Sequence, residues 1–275
     1  MSEIESKPAN LCAGEFYGTV PAKRSLKASI LSEVVHKRAF DVPEHSHELA
    51  YFTLVLGGAY SERFGRKLLD HAPMSLLWHR EGVSHKDSVG ECGSRMFTVE
   101  IKNGGLESLR QYATVPLDFV ENGTPMVWLA TRLFREFKRW GTCSELVAEG
   151  LTLELLGQAG RHGAVSEKRP PVWLASIKEK LRAEFASNHS TSALATEANV
   201  HPVHLASVFR KFYGQTIGEF LQNLRVSHAT RLLLENDMPL IDIAYSCGFA
   251  DQSHFNRLFK RHTGTTPAEF KRSLV

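Results

Sequence analysis

The chain contains one residue pattern twice near its C-terminus, about fifty positions apart. The offset is 49 up to the first turn and 50 beyond it: Leu194 and Ala195 match Ile243 and Ala244, Val200 matches Phe249, Phe209 matches Phe259, Gly214 matches Gly264, and Glu219 and Phe220 match Glu269 and Phe270. One extra residue in the second turn explains the change. Two copies are too few for a helical solenoid, and the faces predicted to be exposed differ between them. The pattern therefore predicts one short unit folded twice.

Each copy has the pattern of two helices joined by a tight turn, which is Gly248 in the second copy. The helix after that turn has an apolar side, formed by Phe255, Leu258 and Phe259, and a polar side, formed by Ser253, Asn256, Arg257 and Lys260 at i, i+3, i+4 and i+7. The apolar stripe can anchor the helix to a core, while the polar stripe offers hydrogen-bond donors and cations. This layout is typical of a helix-turn-helix whose second helix enters a DNA groove.

Candidate DNA-contacting residues follow from that periodicity. In the first copy, a buried stripe of Leu205, Val208, Phe209 and Phe212 turns Val203, Ala206, Ser207 and Arg210 towards DNA. His201 and His204 are candidates for phosphate contacts, although His204 also suits a flanking position. The second copy offers Gln252, Ser253, Asn256, Arg257 and Lys260. Arg257 either pairs with guanine or clamps a phosphate, and the sequence leaves both interpretations open.

A long helix is predicted between the copies, from Ile217 to Asn236, and Pro239 lies beyond its end. About 20 residues of helix span about 30 Å. Such a helix can hold two recognition helices about one duplex turn, roughly 34 Å, apart. We interpret Arg225, which has apolar neighbours, as part of a structural ion pair rather than as a DNA contact.

These residues resemble the C-terminal domain of the AraC/XylS family of bacterial transcription regulators, over roughly Val172 to Val275. The repeat, the linking helix, Gly248-Phe249 and the closing Gly264-x-x-Pro267 occur together. The resemblance implies an all-helical domain that binds double-stranded promoter DNA through two helix-turn-helix units. Ile217 departs from Pro267 of the second repeat, which is an ordinary variation in the first unit.

Composition agrees with two domains in 275 residues of net charge +3. Residues 168–275 hold 14 Lys and Arg against 9 Asp and Glu, which leaves +5 there and −2 upstream. The four cysteines show no C-x-x-C pairing, and we interpret them as reduced thiols. The N-terminus lacks the apolar core of a signal peptide, and no apolar run approaches a membrane span. We therefore expect a cytoplasmic protein without a membrane segment.

The front half of the chain predicts many short strands, which suggests a sandwich or a small barrel. The strands are predicted at 28–35, 51–56, 75–78 and 96–101, separated by Gly, Pro, Asp and Asn. Asp41-Val-Pro-Glu-His-Ser-His47, Gly57-Gly58, Pro73 and Gly82-Val-Ser-His85 resemble the cupin-like sensor barrel of the same family.

Three histidines of this region are candidate pocket residues. His45 and His47 are two apart in a predicted strand and so face one side, where His85 could join them in a three-imidazole site for Zn or Fe. The acidic ligand that metal-binding cupins add after the second His is missing, so we expect pocket-lining histidines and no metal cofactor. His79 is interpreted as a strand-end residue rather than a ligand. The predicted pocket for a small organic effector comprises His45, His47, Tyr51, Trp78 and His85.

Two helices are predicted after the strands, from Pro125 to Trp140 and from Glu145 to Ala159. The first is rich in aromatic residues, which either pack on the barrel or form part of a homodimer interface. Residues 157–163 and 168–171 have glycine, charge and a Pro pair without apolar periodicity, which predicts a linker.

The predicted fold is α+β with two domains: a cupin-like effector-sensing and dimerisation domain over residues 1–160, a linker over 161–171, and a DNA-binding domain over 172–275. The resemblance implies a regulator of transcription that responds to a small-molecule effector, with activation through RNA polymerase favoured over repression. The alternative is a metal-dependent cupin enzyme with a DNA-binding appendage.

Overall fold

The computed structural model describes residues 9–113, 118–122, 124–166, 170–235 and 237–274. The chain divides into two compact units. The first comprises Met1–Glu121 and Leu129–Gly160 and is called the strand domain here. The second comprises Asn122–Trp128 and Arg161–Val275 and is called the helical domain. The predicted α+β organisation, with strands first and helices last, is confirmed.

The described residues form nine strands and ten helices. The strands are β1 (Ala9–Leu11), β2 (Thr19–Ser25), β3 (Ser29–His36), β4 (Phe40–His47), β5 (Ala50–Phe64), β6 (Lys67–His71), β7 (Ser75–His79), β8 (His85–Ile101) and β9 (Phe119–Asn122). The helices are α1 (Asn103–Arg110), α2 (Pro125–Lys138), α3 (Ser144–Ser166), α4 (Val172–Ala183), α5 (Thr191–Glu197), α6 (Pro202–Tyr213), α7 (Ile217–Glu235), α8 (Leu240–Ser246), α9 (Gln252–Thr263) and α10 (Pro267–Leu274). None of the described helices combines the length and apolar character that a membrane span requires.

Two long antiparallel strands, β5 and β8, form the centre of the sheet. The C-terminal half of β8 also pairs with β3, and its N-terminal half pairs with β4. The register between β5 and β8 shifts where glycines meet. Gly58 has φ +84°, and a Cβ there would lie 2.1 Å from the carbonyl oxygen of Gly93. Only glycine allows so close a backbone approach. Beyond the shift, pairing of the two strands resumes from Tyr60 with Val89 to Arg63 with Lys86.

The two faces of β5 have different surroundings because side chains alternate along a strand. Tyr51 lies opposite Glu100 of β8, and the Tyr51 side chain is directed into the interior of the strand domain, against the rings of His47 and His79. Phe52 lies on the other face, with Trp78 of β7 as its cross-strand partner. Adjacent residues of β5 therefore face opposite sides of the sheet, one towards the polar interior and the next towards the apolar outer face.

Helix α2 covers part of the apolar outer face. Phe134 and Phe137 pack on Phe97 of β8, with ring centroids 5.2 and 5.3 Å apart. The guanidinium of Arg24 lies 4.4 Å from the ring of Trp140. Packing within the strand domain is thus confirmed for Phe134, Phe137 and Trp140. Trp128, the fourth aromatic residue of the predicted helix, belongs to the helical domain.

Helix α3 corrects part of the predicted linker. It continues to Ser166, so residues 157–163 are helical. The glycines that suggested a linker include Gly160, where a Cβ would lie 2.7 Å from Cδ1 of Leu109 on α1. Close helix packing therefore accounts for that glycine. Residues 167–169 lie outside the described residues.

Candidate functional site

The helical domain folds the sequence repeat as two helix-turn-helix units, α5–α6 and α8–α9. The turns close in the same way: the Val200 amide donates to the Ala195 carbonyl at 3.0 Å, and the Phe249 amide donates to the Ala244 carbonyl at 3.0 Å. The preceding residue of each turn has a left-handed backbone, with φ +52° at Asn199 and +77° at Gly248. Asparagine and glycine are the residues that adopt this conformation most readily.

The ends of the two recognition helices, α6 and α9, also match. Gly214 (φ +67°) and Gly264 (φ +78°) terminate them in the left-handed conformation. The helices that follow the two units, α7 and α10, each start with a capping box. The glutamate side chain accepts hydrogen bonds from the threonine amide and hydroxyl, and the threonine hydroxyl oxygen accepts one from the glutamate amide. The pairs are Thr216 with Glu219 and Thr266 with Glu269, and these bonds measure 2.8–3.3 Å.

The predicted apolar stripes are the buried sides of α6 and α9. Leu205 and Phe209 are fully buried in a core formed with α4, α5 and α7, and Val208 and Phe212 are half-buried against it. Phe255, Leu258 and Phe259 are buried in the second unit. The stripes fix which side of each helix faces outward.

The outward face of α6 carries the predicted residues of the first unit. Val203 is 70% exposed. His204, Ala206, Ser207 and Arg210 are exposed as well. Apart from His204, only Ser207 and Arg210 on this face have side chains that form hydrogen bonds.

Two histidines flank the start of α6. The Nδ1 atom of His201 accepts a hydrogen bond from the Val203 amide at 3.3 Å, so His201 is the N-cap of α6. The ring of His204 lies 5.9 Å from that of Trp173 on α4. His204 is exposed, and both of its predicted roles, a phosphate contact and a flanking position, stay predictions.

The outward face of α9 is richer in polar groups. Ser253, Arg257 and Lys260 are exposed, and Gln252 and Asn256 are half-buried. Oδ1 of Asn256 is buried and has no hydrogen-bond partner among the described residues. The exposed cationic groups of this face are thus the guanidinium of Arg257 and the ammonium of Lys260.

Helix α7 connects the two units and contains Arg225. Its 19 residues span about 28 Å. Arg225 donates to the carbonyls of Phe185 and Ser187, at 2.9 and 2.8 Å. The structural role predicted for Arg225 is confirmed, but its partners are backbone carbonyls of the segment after α4 instead of an acidic side chain.

A second candidate site is a small cavity of about 30 Å³ inside the strand domain. Its lining combines polar and aromatic side chains from β3, β4, β5, β8 and the segment before β2. These are Phe16, Tyr17, Val34, His36, Val42, His45, His47, Tyr51, Thr53, Tyr60, Asp87, Met96 and Thr98. Three of the five predicted pocket residues, His45, His47 and Tyr51, are among them.

The other two predicted pocket residues lie elsewhere. Trp78 is fully buried on the opposite face of the sheet, with its ring centroid 4.5 Å from that of Phe52. Trp78 therefore does not line the cavity, contrary to the prediction. The sequence does not reveal which residues of β7 face the interior. His85 is buried beside the cavity, with its Nε2 atom 3.2 Å from the Tyr51 hydroxyl.

Sequence reasoning missed a buried carboxylate, Glu62, next to this cavity. Glu62 accepts hydrogen bonds from the Tyr60 hydroxyl at 2.7 Å and from Nε2 of His71 and His79 at 3.2 and 3.1 Å. Burial alone would raise the pKa of Glu62, but these histidines lower it overall. Burial likewise opposes a proton on His79, whereas Glu62 raises the His79 pKa overall. His79 ends β7 as predicted, and it belongs to an ion pair.

A second acidic residue that the sequence did not single out is Asp87. It lies two positions after His85 on β8, so both side chains face the same side; this i, i+2 spacing is the signal that sequence reasoning overlooked. Burial, and secondly the carboxylate of Glu62, raise the pKa of Asp87 to about 8. Burial also lowers the pKa of His45, that of His47 to about 2 and that of His85 to about 4. Burial therefore favours the uncharged form of all three imidazoles.

The helical domain matches known proteins in sequence. Residues 194–273 match a family model described as a helix-turn-helix domain. The chain is 40% identical over 78 residues to the probable transcription factor PqrA of Proteus vulgaris, a match that covers 28% of this chain and 64% of PqrA. It is 32% identical over 129 residues to the HTH-type transcriptional activator RhaR of Escherichia coli K12, which covers 46% of each chain. Residues 194–273 form a helix-turn-helix domain of the AraC family.

The AraC-type domain contains both helix-turn-helix units and α10. The chain spans less than two thirds of the length of PqrA and about half that of RhaR. Among solved structures, ToxT of Vibrio cholerae is 12% identical with a TM-score of 0.40, covering 90% of this chain and 100% of ToxT. The DNA-binding domain of AdpA, in complex with a target DNA, is 24% identical with a TM-score of 0.35, covering 38% and 93%.

Proposed function

We propose that the protein is a sequence-specific DNA-binding regulator of transcription. One observation carries the proposal: the AraC-type domain holds two recognition helices on one linking helix, and each buries an apolar stripe while turning a different face outward. Arg257 and Lys260 on α9, and Arg210 on α6, supply the exposed cations that phosphates and base edges require. The two relatives described above are named as a transcription factor and a transcriptional activator.

The strand domain is the proposed effector-binding domain. Its interior pocket encloses only about 30 Å³, so an effector must displace some of the lining side chains as it binds. Hydroxyl groups from Tyr51, Thr53, Tyr60 and Thr98 line it together with imidazoles, while Phe16 and other apolar groups provide contact surface. This lining suits a small polar organic molecule.

Activation through contact with RNA polymerase, in the cytoplasm, is the form of regulation that we propose. The name of RhaR as an activator supports this choice over repression. The alternative of a metal-dependent enzyme is not proposed, because the matched relatives are named for transcription.

A homodimer is also proposed, with α3 in place of the α2 helix that the sequence suggested. Phe134 and Phe137 of α2 pack within the strand domain. By contrast, Leu146 and Leu153 of α3 are 74% and 50% exposed. Gly150 lies between them along the helix, and a Cβ there would meet nothing within 4 Å. An exposed apolar stripe with a glycine gap suits close approach of a second helix. Sedimentation of the full chain should show a dimer at tens of micromolar that Leu146→Glu dissociates, and a wild-type monomer would contradict this.

The experiment that tests DNA recognition is footprinting of the full chain on fragments of its source genome, with binding measured by mobility shift. We expect protection of two adjacent major-groove segments on one face of the duplex. Arg257→Ala should weaken binding to the protected sequence more than binding to random DNA. Equal affinity for protected and random sequence would overturn the proposal.

A further inference from the structure

The histidines of the strand domain face a carboxylate that the cupin-like pattern did not predict. His45 and His47 on β4 and His85 and Asp87 on β8 meet because His45 pairs with His85 across the two antiparallel strands. We propose that these four side chains bind one divalent first-row transition-metal ion. The proposal concerns the strand domain alone and does not depend on DNA binding.

Hydrogen bonds to the backbone fix the tautomer of two of the histidines. Nδ1 of His45 lies 2.9 Å from the carbonyl oxygen of Pro43, and Nδ1 of His85 lies 3.2 Å from that of Val83. A carbonyl oxygen only accepts, so each Nδ1 carries the proton and each Nε2 presents a lone pair. Metal-binding histidines are oriented by this kind of second hydrogen bond.

The distances between the candidate ligand atoms suit a bridging ion. Nε2 of His45 lies 3.7 Å from Oδ2 of Asp87, and Nε2 of His85 lies 3.8 Å from Oδ1. These separations are too long for hydrogen bonds, and an unprotonated Nε2 has no proton to donate. Two ligands at about 2.0–2.1 Å from a tetrahedral metal lie roughly 3.3–3.5 Å apart. One ligand atom from each of His45, His47 and His85 falls within 4.8 Å of the others. Asp87 lies outside that group of three, so its side chain would have to shift to complete the set around one ion.

Two atoms of this group are buried and lack a hydrogen-bond partner among the described residues: Oδ1 of Asp87 and Nδ1 of His47. Burying a polar atom without a partner is costly, and a bound cation would remove the cost for the carboxylate. The Tyr51 hydroxyl, 3.2 Å from Nε2 of His85, competes for that lone pair in the metal-free protein. Tyr51 would have to turn its hydroxyl proton away from His85 when the ion binds.

Glu62, His85 and Asp87 form a second group with close ligand atoms. Glu62 already accepts hydrogen bonds from Tyr60, His71 and His79, so its oxygens are engaged. The three-imidazole and one-carboxylate set is therefore the better site. Nitrogen ligands favour Zn²⁺, Fe²⁺, Co²⁺ or Ni²⁺ over Ca²⁺ and Mg²⁺.

The test is titration of the full-length, chelator-stripped protein with Co²⁺, whose visible absorption reports its coordination, followed by displacement with Zn²⁺. We expect one ion per chain and an absorption spectrum typical of four ligands. Asp87→Asn and His45→Gln should each weaken binding by at least about 100-fold, since even outer-shell changes cost 10–100-fold. His36→Gln is the matched control, because His36 lines the same cavity but lies outside the group, and it should bind like wild type.

X-ray absorption of the zinc-loaded wild type guards against a variant that fails to fold. It should show about three imidazoles and no sulfur around the ion, as the proposed ligand set requires. Stoichiometric binding that survives both Asp87→Asn and His45→Gln would overturn the proposal. So would absence of Co²⁺ uptake by the wild-type chain at hundreds of micromolar, or a spectrum without imidazole scattering.

Discussion

The first and second helix-turn-helix units can be compared position by position, because an offset of 50 pairs α6 with α9 along their whole length. The paired positions that fold the helix are alike: Leu205 and Phe255 are buried, as are Phe209 and Phe259. Both helices end at glycine in the left-handed conformation. The repeat therefore preserves the framework that places each recognition helix.

The paired positions on the outward faces differ. They are Val203 with Ser253, Ala206 with Asn256, Ser207 with Arg257, and Arg210 with Lys260. Only in the last pair are both side chains charged. The first unit can offer apolar contacts with thymine methyls, whereas the second offers a side chain suited to guanine. Two matched frameworks thus present different outward faces, from which we predict unequal readout of bases.

The turns give the largest predicted difference in stability. Gly248 has a left-handed backbone, and a Cβ there would lie 2.2 Å from the carbonyl oxygen of Ala186. Gly248→Ala should lower the free energy of unfolding of the helical domain by about 3 kcal/mol. Asn199→Ala, at the matched position of the first unit, should cost about 1 kcal/mol because asparagine already bears the Cβ. Urea unfolding monitored by a helical-domain probe measures both, and equal losses would contradict the account.

Base recognition should differ next most strongly. Arg257→Ala should reduce discrimination at one half-site by about 1–3 kcal/mol, since a bidentate arginine–guanine pair is worth that much. Ser207→Ala is the matched change in the first unit and should alter discrimination by less. The measurement is competitive binding to single-base variants of the site. A loss that is uniform across all sequences would instead identify Arg257 as a phosphate clamp.

Arg210 and Lys260, the charged residues at the ends of the two outward faces, should contribute alike to DNA affinity. Lys260→Ala and Arg210→Ala should each weaken binding to every sequence and lower the salt dependence of log K by about one. Both side chains are exposed cations on the last turns of their helices. Titration of affinity against salt concentration measures the slope, and a change of base preference at either position would contradict a phosphate role.

The capping boxes should contribute the smallest and most equal effect. Hydrogen bonds from the amides and hydroxyls of Thr216 and Thr266 lower the pKa of Glu219 and Glu269 below 4.5. A lowered pKa in the folded state adds stability above pH 4.5 that is lost as the pH falls through the folded pKa. Glu219→Gln and Glu269→Gln should each remove that pH dependence, by a small amount because both glutamates are exposed. Melting curves from pH 3 to 7 measure it, and unequal effects would contradict the match.

Features that depend on local interactions could be predicted from the sequence, whereas features that depend on long-range contacts could not. The apolar stripe containing Leu205 and Phe209 was predictable because helical periodicity is local. The side of the sheet on which Trp78 lies depends on the pairing of β7 with β5, which the sequence does not reveal. Asp87 lies near His45 because β8 pairs with β4. Gly160 allows close approach to Leu109, which is more than fifty residues away in the sequence. Long-range contacts thus decided each correction.

The central claim, unequal reading by two matched units, is tested most directly by selection of binding sites from random DNA with the full chain. We predict two non-palindromic half-sites about 10 bp apart, with sharper base preference in one of them. Repeating the selection with Arg257→Ala assigns the half-sites, because only the one under α9 should change. Sharper preference in the half-site that this variant leaves unchanged, or a palindromic site, would contradict the claim.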